Sequence, residues 1–155
     1  MKLSTRARYA LRMMVEIAKR PGIDPVSLGD VAENTRISKR YLDQVAIGLK
    51  TSLLIRSMRG RSGGYQLGRP AGEISVGQII EAAIGPINVV ECVRCPETCL
   101  MSSYCECRWV YERVNDGITS LLNGISLADL VHMNGVPSAQ SSAGLTSRDT
   151  GNPST

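Results

Sequence analysis

All five cysteines of this 155-residue chain lie within sixteen positions, from Cys92 to Cys107. Thiolates are soft ligands that suit zinc, copper(I) and iron–sulfur clusters. An iron–sulfur cluster is bulkier than one ion and can be surrounded by a single loop that supplies three or four thiolates. The wide steps from Cys92 to Cys99 and from Cys99 to Cys105 favour that use. This loop divides the chain into a basic segment before it and one amphipathic helix and a polar tail after it.

Other uses of the cysteines remain open. Zinc sites usually take two separated ligand pairs, whereas this loop has a tight pair, a middle cysteine and a second tight pair with no nearby histidine. A thiol–disulfide sensor and purely structural cysteines are further alternatives. A secreted disulfide framework is disfavoured, because the cysteine count is odd and the N-terminus lacks the apolar core of a signal peptide. We therefore expect a cytoplasmic protein whose thiols stay reduced. No apolar run approaches the 18 residues of a membrane span.

Charge is distributed unevenly along the chain. Residues 1–70 contain 14 Lys and Arg against 5 Asp and Glu, a net charge of +9. Residues 71–155 contain 4 against 9, a net charge of −5. A basic N-terminal half indicates a polyanionic partner, although a solvated basic surface gives the same composition.

The basic half predicts three helices. Ser4 or Thr5 can cap a helix over residues 5–19, which Pro21 and Gly22 end. Ser27 opens a short helix through about residue 33, in the form of a capping box. After a turn at residues 34–36, Ser38 caps a third helix to about residue 50. A helix, a short turn and a second capped helix form a candidate helix-turn-helix.

The outward face of the third helix carries Lys39, Arg40, Asp43 and Gln44 near its N-terminus, where a recognition helix meets base edges in the major groove. Glutamine pairs with adenine and aspartate accepts a hydrogen bond from cytosine. Any surface helix can show such residues, so the next segment matters. Residues 53–59 and 65–67 predict two strands around a glycine-rich turn, a β-hairpin wing whose Arg59 and Arg61 can enter a minor groove or clamp phosphates.

Ser75 is expected to cap a fourth helix that Gly85 and Pro86 end. From about Tyr104 a longer helix should run to residue 124, with one apolar stripe that we interpret as a dimer interface. The alternative is that this stripe packs on its own domain. The stripe comprises Val110, Val114, Ile118, Leu121 and Leu122. Ser126 caps a last short helix, and the polar residues 135–155 predict a disordered tail.

Several of these segments resemble the IscR/NsrR/CymR family of bacterial winged-helix regulators. They are residues 3–12 (LSTRARYALR), 37–44 (ISKRYLDQ) and 59–67 (RGRSGGYQL), together with the Cys92, Cys99 and Cys105 loop. The resemblance extends over residues 1–131. It implies a homodimeric transcription regulator, mainly α with a small β-hairpin wing, in which a winged helix-turn-helix precedes a long C-terminal dimerisation helix.

The resemblance also implies a ligand set. In cluster-binding members, three cysteines of this loop hold an iron–sulfur cluster, matched here by Cys92, Cys99 and Cys105. Some members take the fourth ligand from an acidic residue of the first helix, where this chain has Arg8. Others use a histidine shortly after the third cysteine, where Cys107 is the candidate. The resemblance places no counterpart for Cys95, whose role as a ligand, a redox partner or neither stays open. The spacing is most similar to that of IscR-like proteins of anaerobic Gram-positive bacteria, which favours a 2Fe–2S cluster, with 4Fe–4S as the alternative.

We therefore expect a winged helix-turn-helix domain at 1–86, a cluster-binding loop at 87–107, a dimerisation helix with a short following helix at 104–131 and a disordered tail at 135–155. The expected function is a repressor that binds a palindromic double-stranded operator and senses cluster status or redox state. A cluster-free thiol- or zinc-dependent regulator of the same fold is the alternative. A redox enzyme or electron carrier is disfavoured, since the sequence has no catalytic constellation or nucleotide motif. The residues expected to contact DNA are Ser38, Lys39, Arg40, Tyr41, Asp43, Gln44, Arg59, Gly60 and Arg61.

Overall fold

The computed structural model of the chain describes residues 3–20, 24–60 and 63–133. Seven α-helices and one two-stranded sheet lie in these residues, so the fold is mainly helical, as the sequence predicts. None of the helices described there is long and apolar enough to cross a membrane. In chain order the elements are α1 Thr5–Ala18, α2 Leu28–Thr35, α3 Lys39–Thr51, β1 Ile55–Met58, β2 Gly64–Leu67, α4 Val76–Ile84, α5 Glu91–Arg94, α6 Arg108–Gly124 and α7 Leu127–His132.

Serine residues are the N-caps of five helices. The hydroxyls of Ser4, Ser27, Ser38, Ser75 and Ser126 each accept a hydrogen bond from a backbone N–H in the first turn of α1, α2, α3, α4 and α7. Such caps satisfy backbone donors that have no partner inside the helix. The reciprocal half of a capping box forms in α4 and α7. In α2 the carboxylate of Asp30 instead lies 3.1 Å from a guanidinium nitrogen of Arg20.

The core lies where α1, α2, α3 and the hairpin meet, and helix periodicity explains which side chains fill it. Met13 and Met14 of α1, Leu42 of α3 and Ile55 of β1 are fully buried there. Leu127 of α7 joins the same cluster. The end of the described chain therefore packs into the winged helix-turn-helix unit, although the sequence grouped α7 with the dimerisation helix.

Three predicted boundaries are wrong, and one of them is in the hairpin, where β1 runs over Ile55–Met58 instead of residues 53–59. Helix α2 continues to Thr35, beyond the expected residue 33, and the chain reverses at Arg36, which has a left-handed φ of 55°. Helix α6 begins at Arg108, four residues after the expected Tyr104. Tight turns occupy the intervening segment, in which the N–H of Tyr104 bonds to the carbonyl of Met101 at 3.1 Å. The expected tail at 135–155 lies outside the described residues.

Candidate nucleic-acid interface and cysteine loop

The N-terminal half of α3 presents a polar surface. Leu42, Val45 and Leu49 are buried on one side of the helix. The opposite side, with Ser38, Lys39, Arg40, Asp43 and Gln44, is exposed. Within the described residues, Lys39, Arg40 and Asp43 form no ion pair with each other or with neighbours. Their charged groups are therefore available to an external partner.

Tyr41 differs from the other residues expected to contact DNA. Its ring is partly buried and packs edge-on against the ring of Tyr9 in α1, with the centroids 5.1 Å apart and the planes at 80°. Aromatic pairs favour this geometry because the positive edge of one ring meets the negative face of the other. The ring of Tyr41 thus holds α3 against α1.

Arg6 is a basic residue at this surface that the sequence reasoning missed. Its Nη2 donates a hydrogen bond to the backbone carbonyl of Gln44 at 3.2 Å, and the side chain is exposed. Arg6 lies three residues before Tyr9, so both residues point to the same side of α1, towards α3. That spacing puts Arg6 on the helix face of Tyr9, but only the packing of α1 on α3 brings it beside Gln44.

The β-hairpin predicted as a wing is present. Strands β1 and β2 are antiparallel, and Met58 pairs with Gly64 at the end nearest the turn. Arg59 and Gly60 are exposed beyond this pair, and Gly60 has a φ of 128° that favours glycine. Gly64 is also constrained, because a Cβ there would overlap the carbonyl of Val26. Arg61 lies outside the described residues.

The cysteine loop is attached to α6 both along the chain and by a hydrogen bond to the middle of the helix. The N–H of Val89 donates to Oδ1 of Asn115 in α6 at 3.1 Å. Cys92 lies in α5, Cys99 follows a 3₁₀ turn at Pro96–Thr98, and Cys107 immediately precedes α6. All five cysteines are free thiols with partial or full exposure. They are therefore accessible to a ligand or oxidant.

Three of these cysteines act electrostatically on residues in the first turn of α6. Electrostatic interaction with Cys107, together with burial and the neighbouring Cys105 and Cys92, raises the pKa of Tyr111. The hydrogen bond from Arg108 to Glu112 raises the pKa of the Arg108 guanidinium, and Cys92 and Cys105 raise it further. This part of the loop therefore combines thiols with the guanidinium group of Arg108.

Four accessible thiols in one loop suit an iron–sulfur cluster or a zinc ion by donor chemistry. Cys92, Cys99, Cys105 and Cys107 provide them. In the part of the chain that the structure describes, however, no three Cys, His, Asp or Glu side chains converge closely enough to hold a metal ion. The donors fit, but the loop as described does not assemble them into one site.

Helix α6 has two distinct faces, where the sequence indicated one apolar stripe. Ile118 and Leu122 are partly buried and line a groove with Ile80 of α4. Val110, Val114, Gly117 and Leu121, spaced by four, three and four residues, are exposed. The predicted stripe therefore combined an intramolecular face with an unpartnered one.

Comparison with known proteins identifies the group to which these features correspond. The model of the Rrf2 family, described as an iron-dependent transcriptional regulator, matches residues 3–133. CymR of Bacillus subtilis, an HTH-type transcriptional regulator, is 36% identical over 130 residues, which cover 84% of this chain and 89% of CymR. IscR of Pectobacterium atrosepticum, also an HTH-type transcriptional regulator, is 36% identical over 132 residues, covering 85% of this chain and 80% of IscR.

Solved structures give the same result for the fold. The structure of B. subtilis CymR, described as the global cysteine regulator of that bacterium, superposes with a TM-score of 0.73 at 35% identity, covering 85% of this chain and 97% of CymR. The structure of T. potens IscR superposes with a TM-score of 0.71 at 30% identity, covering 90% of this chain and 94% of that chain. The architecture described above is thus shared by IscR and CymR alike.

Proposed function

The chain belongs to the Rrf2 family of transcriptional regulators, and from that premise we propose that it is a homodimeric repressor that senses an iron–sulfur cluster or redox state through its cysteine loop. The family and its relatives are DNA-binding transcription regulators rather than enzymes. Membership of the family does not establish which residues contact DNA, how the subunits assemble or which signal is sensed.

The proposed DNA contacts rest on the exposed polar face of α3. Arg40, Asp43 and Gln44 would read base edges, and Ser38, Lys39 and Tyr41 would orient the helix on the backbone. Arg59 and Gly60 at the end of the hairpin, with Arg61, would contact a minor groove or phosphates. Arg6 adds a cation beside Gln44.

The proposed dimer rests on the exposed face of α6. Val110, Val114 and Leu121 follow a helical spacing, and Gly117 lies between them, where a Cβ would meet nothing within 4 Å. Exposed apolar residues in such a row are typical of a helix that pairs with a twin. Two subunits joined in this way would present two recognition helices to a palindrome, with half-sites about 34 Å apart.

Cys92, Cys99 and Cys105 would hold the cluster, and Cys107 is the proposed fourth ligand. When bound, a 2Fe–2S cluster, or a 4Fe–4S cluster as the alternative, supplies a group whose presence and charge depend on iron, sulfide and oxidants. The chain itself connects the cysteine loop, through α6, to α4. Cys107 adjoins α6, and the far end of α6 is joined to α4 by a 2.9 Å hydrogen bond from the N–H of Val76 to the carbonyl of Ile125.

The sensing proposal rests on this connection from the cysteine loop through α6 to α4. A change in loop shape at the start of α6 would alter the angle between α6 and the winged helix-turn-helix unit. In a dimer, such a change would displace both recognition helices from their half-sites together. The hypothesis requires that loop occupancy and operator affinity change in concert.

The test is a visible absorption spectrum of anaerobically purified protein, with iron, sulfide and zinc assayed on the same sample. We expect a red-brown protein with matched iron and sulfide, and the ratio per subunit distinguishes 2Fe–2S from 4Fe–4S. Cys99→Ser should lose the colour, whereas Cys95→Ser, the matched control, should keep it. Operator affinity that is the same with and without the cluster would contradict the sensing mechanism.

A cluster-free thiol or zinc switch is the second candidate. Its support is the similarity to CymR, whose solved structure is described as that of a global cysteine regulator. It predicts a colourless protein that stays colourless after reconstitution with iron and sulfide. DNA binding would then depend on thiol oxidation or on zinc.

A further inference from the structure

A cleft lies between the end of α1 and the base of the hairpin, away from the cysteine loop. Its volume is ≈ 400 Å³, and Ile17 and Arg20 line it on one side while Arg56 and Gln66 line it on the other. Asp24, Arg69 and neighbouring residues complete the wall. A space of this size accommodates a small metabolite.

The side chain of Gln66 is the unusual feature of this cleft. It is only 7% exposed, yet neither its Nε2 nor its Oε1 has a hydrogen-bond partner in the described chain. Leaving a buried polar group without a partner is unfavourable, so native structures nearly always provide one. A ligand that offers one acceptor and one donor would satisfy both atoms.

The register of the sheet places a cation next to this amide. Gln66 in β2 is paired with Arg56 in β1, and directly opposed residues of two strands point to the same face. Arg56 is exposed and forms no salt bridge within the described residues. Its guanidinium is therefore available to an anion in the cleft.

Two further arginines increase the positive charge of the cleft. Arg69 is partly buried, and its Nε is a second buried donor without a partner in the described residues, although its Nη2 donates to Gln78 at 3.3 Å. Arg20 is about half-exposed and pairs with Asp30 at 3.1 Å. With the Arg20–Asp30 pair counted as neutral, Arg56 and Arg69 still exceed the single carboxylate of Asp24, so the lining is cationic. Guanidinium groups bind carboxylate and phosphate through paired hydrogen bonds.

We propose that this cleft binds a small anionic metabolite whose carboxylate or phosphate lies among Arg20, Arg56 and Arg69 and whose adjoining polar group meets the amide of Gln66. The DNA backbone is excluded as the occupant of the inner part, because Gln66 is buried and a phosphodiester chain cannot enter behind it. Both amide atoms of Gln66 are closed to solvent in the free chain, so contact with them requires that side chains lining the cleft move when the ligand binds.

The cleft also adjoins the joint between the hairpin and the helix-turn-helix. Tyr65, next to Gln66, exchanges two backbone hydrogen bonds of 2.8 and 2.9 Å with Val26, which leads into α2. A bound metabolite therefore contacts the strand that carries the wing, at the end opposite to Arg59. The site is independent of the cysteine loop and of any metal held there.

The experiment is calorimetric titration of the full chain at constant ionic strength with three probes: L-aspartate, L-malate and inorganic phosphate. We expect at least one probe to bind saturably in the millimolar range or below, with one site per chain. A preference for L-aspartate over L-malate identifies an amino group beside the carboxylate, the reverse preference identifies a hydroxyl, and a preference for phosphate identifies a phosphorylated ligand.

Two variants and one control locate the binding. Gln66→Met keeps the shape of the side chain without its polar atoms, so the free protein should be as stable as the wild type or more stable. Both Gln66→Met and Arg56→Gln should weaken binding about tenfold. Arg12→Gln, which removes an exposed arginine of α1 outside this cleft, should leave binding unchanged.

The proposal is overturned if none of the three probes saturates. It is also overturned if Arg12→Gln weakens binding as much as Arg56→Gln, because the effect would then be general charge attraction. Undiminished binding by Gln66→Met would likewise overturn it, since the ligand would not reach the amide. Arg56 is exposed, so the Arg56→Gln variant tests the site even if the Gln66 variant folds poorly.

Discussion

Arg6 in the first turn of α1 donates a hydrogen bond of 3.2 Å to the backbone carbonyl of Gln44 in α3, 38 residues later. This bond joins the N-terminal helix to the middle of the candidate recognition helix. Since the Arg6 side chain is also exposed, the guanidinium can contact a DNA phosphate while it holds Gln44 in place.

Replacing Arg6 should therefore weaken DNA binding in a salt-dependent manner. Arg6→Gln is expected to reduce the slope of log affinity against log salt by about 1, the effect of one lost phosphate contact. Fluorescence anisotropy with an operator duplex at several salt concentrations measures this slope. Arg12→Gln, six residues later in the same helix, should leave the slope unchanged. Equal slopes for wild type and Arg6→Gln would show that Arg6 does not contact a phosphate.

Arg59 gives a corresponding prediction for the hairpin. Arg59→Ala should weaken binding to all sequences similarly and lower the salt slope by about 1 if it contacts phosphate. If Arg59 instead occupies a narrow minor groove, the loss should be larger at A·T-rich sites. Arg94→Ala, an exposed arginine of the cysteine loop, is the control. A hairpin that takes no part in binding would leave both measurements unchanged.

The exposed face of α6 predicts the oligomeric state. Leu121 is 65% exposed in the single chain, and burial of an apolar side chain contributes about 1.5–3 kcal/mol. Because a symmetric dimer buries two copies, Leu121→Asp should weaken dimerisation at least a hundredfold, roughly 3 kcal/mol or more. Sedimentation velocity across a concentration series measures the change. The Ser120→Asp variant carries the same added charge next to this face and should remain dimeric. A Leu121→Asp protein that stays dimeric would show that the interface lies elsewhere.

The crossing of α3 and α4 depends on Gly48. A Cβ at this position would overlap the carbonyl of Ala82 in the α4 backbone, which cannot move as a flexible side chain can. Gly48→Ala should therefore destabilise the protein by about 1–3 kcal/mol despite the better helix propensity of alanine. Gly29→Ala in α2, where the nearest atom is the Ser27 hydroxyl at 3.4 Å, should stabilise by about 0.5 kcal/mol. Chemical denaturation of both variants checks the opposite signs, and a stable Gly48→Ala protein would mean that the helices can separate at no cost.

Leu53 offers a route to higher stability. It has a φ of 56°, a left-handed conformation that is unfavourable for residues with a Cβ, and its side chain is 74% exposed. Leu53→Gly should remove this strain with little loss of burial and raise the free energy of unfolding by about 1 kcal/mol. Leu100→Gly changes an even more exposed leucine, 97% accessible and outside the left-handed region, and should give no gain. A lower melting temperature for Leu53→Gly would show that its side chain has a packing role.

Local signals predicted most of the fold. Serine caps and apolar spacings located α1, α3, α4 and α7, because these signals act within one or two helical turns. The glycine-rich segment after α3 predicted the hairpin, and the charge imbalance indicated which half of the chain would meet a polyanion. The start of α6 was misplaced because Tyr104 and its neighbours form successive tight turns, which a helical pattern of apolar residues cannot distinguish from a first helical turn.

The sequence by itself determined the family, the winged helix-turn-helix order and the candidate contacts on α3, since these depend on residues close together in the chain. Only the tertiary structure decided which stripe of α6 is covered by its own domain, that Arg6 lies beside Gln44 and that Gln66 is buried next to Arg56. Each of these depends on elements far apart in the chain that meet in the fold. Side-chain spacing specifies the face of one helix or strand, whereas packing specifies what that face meets.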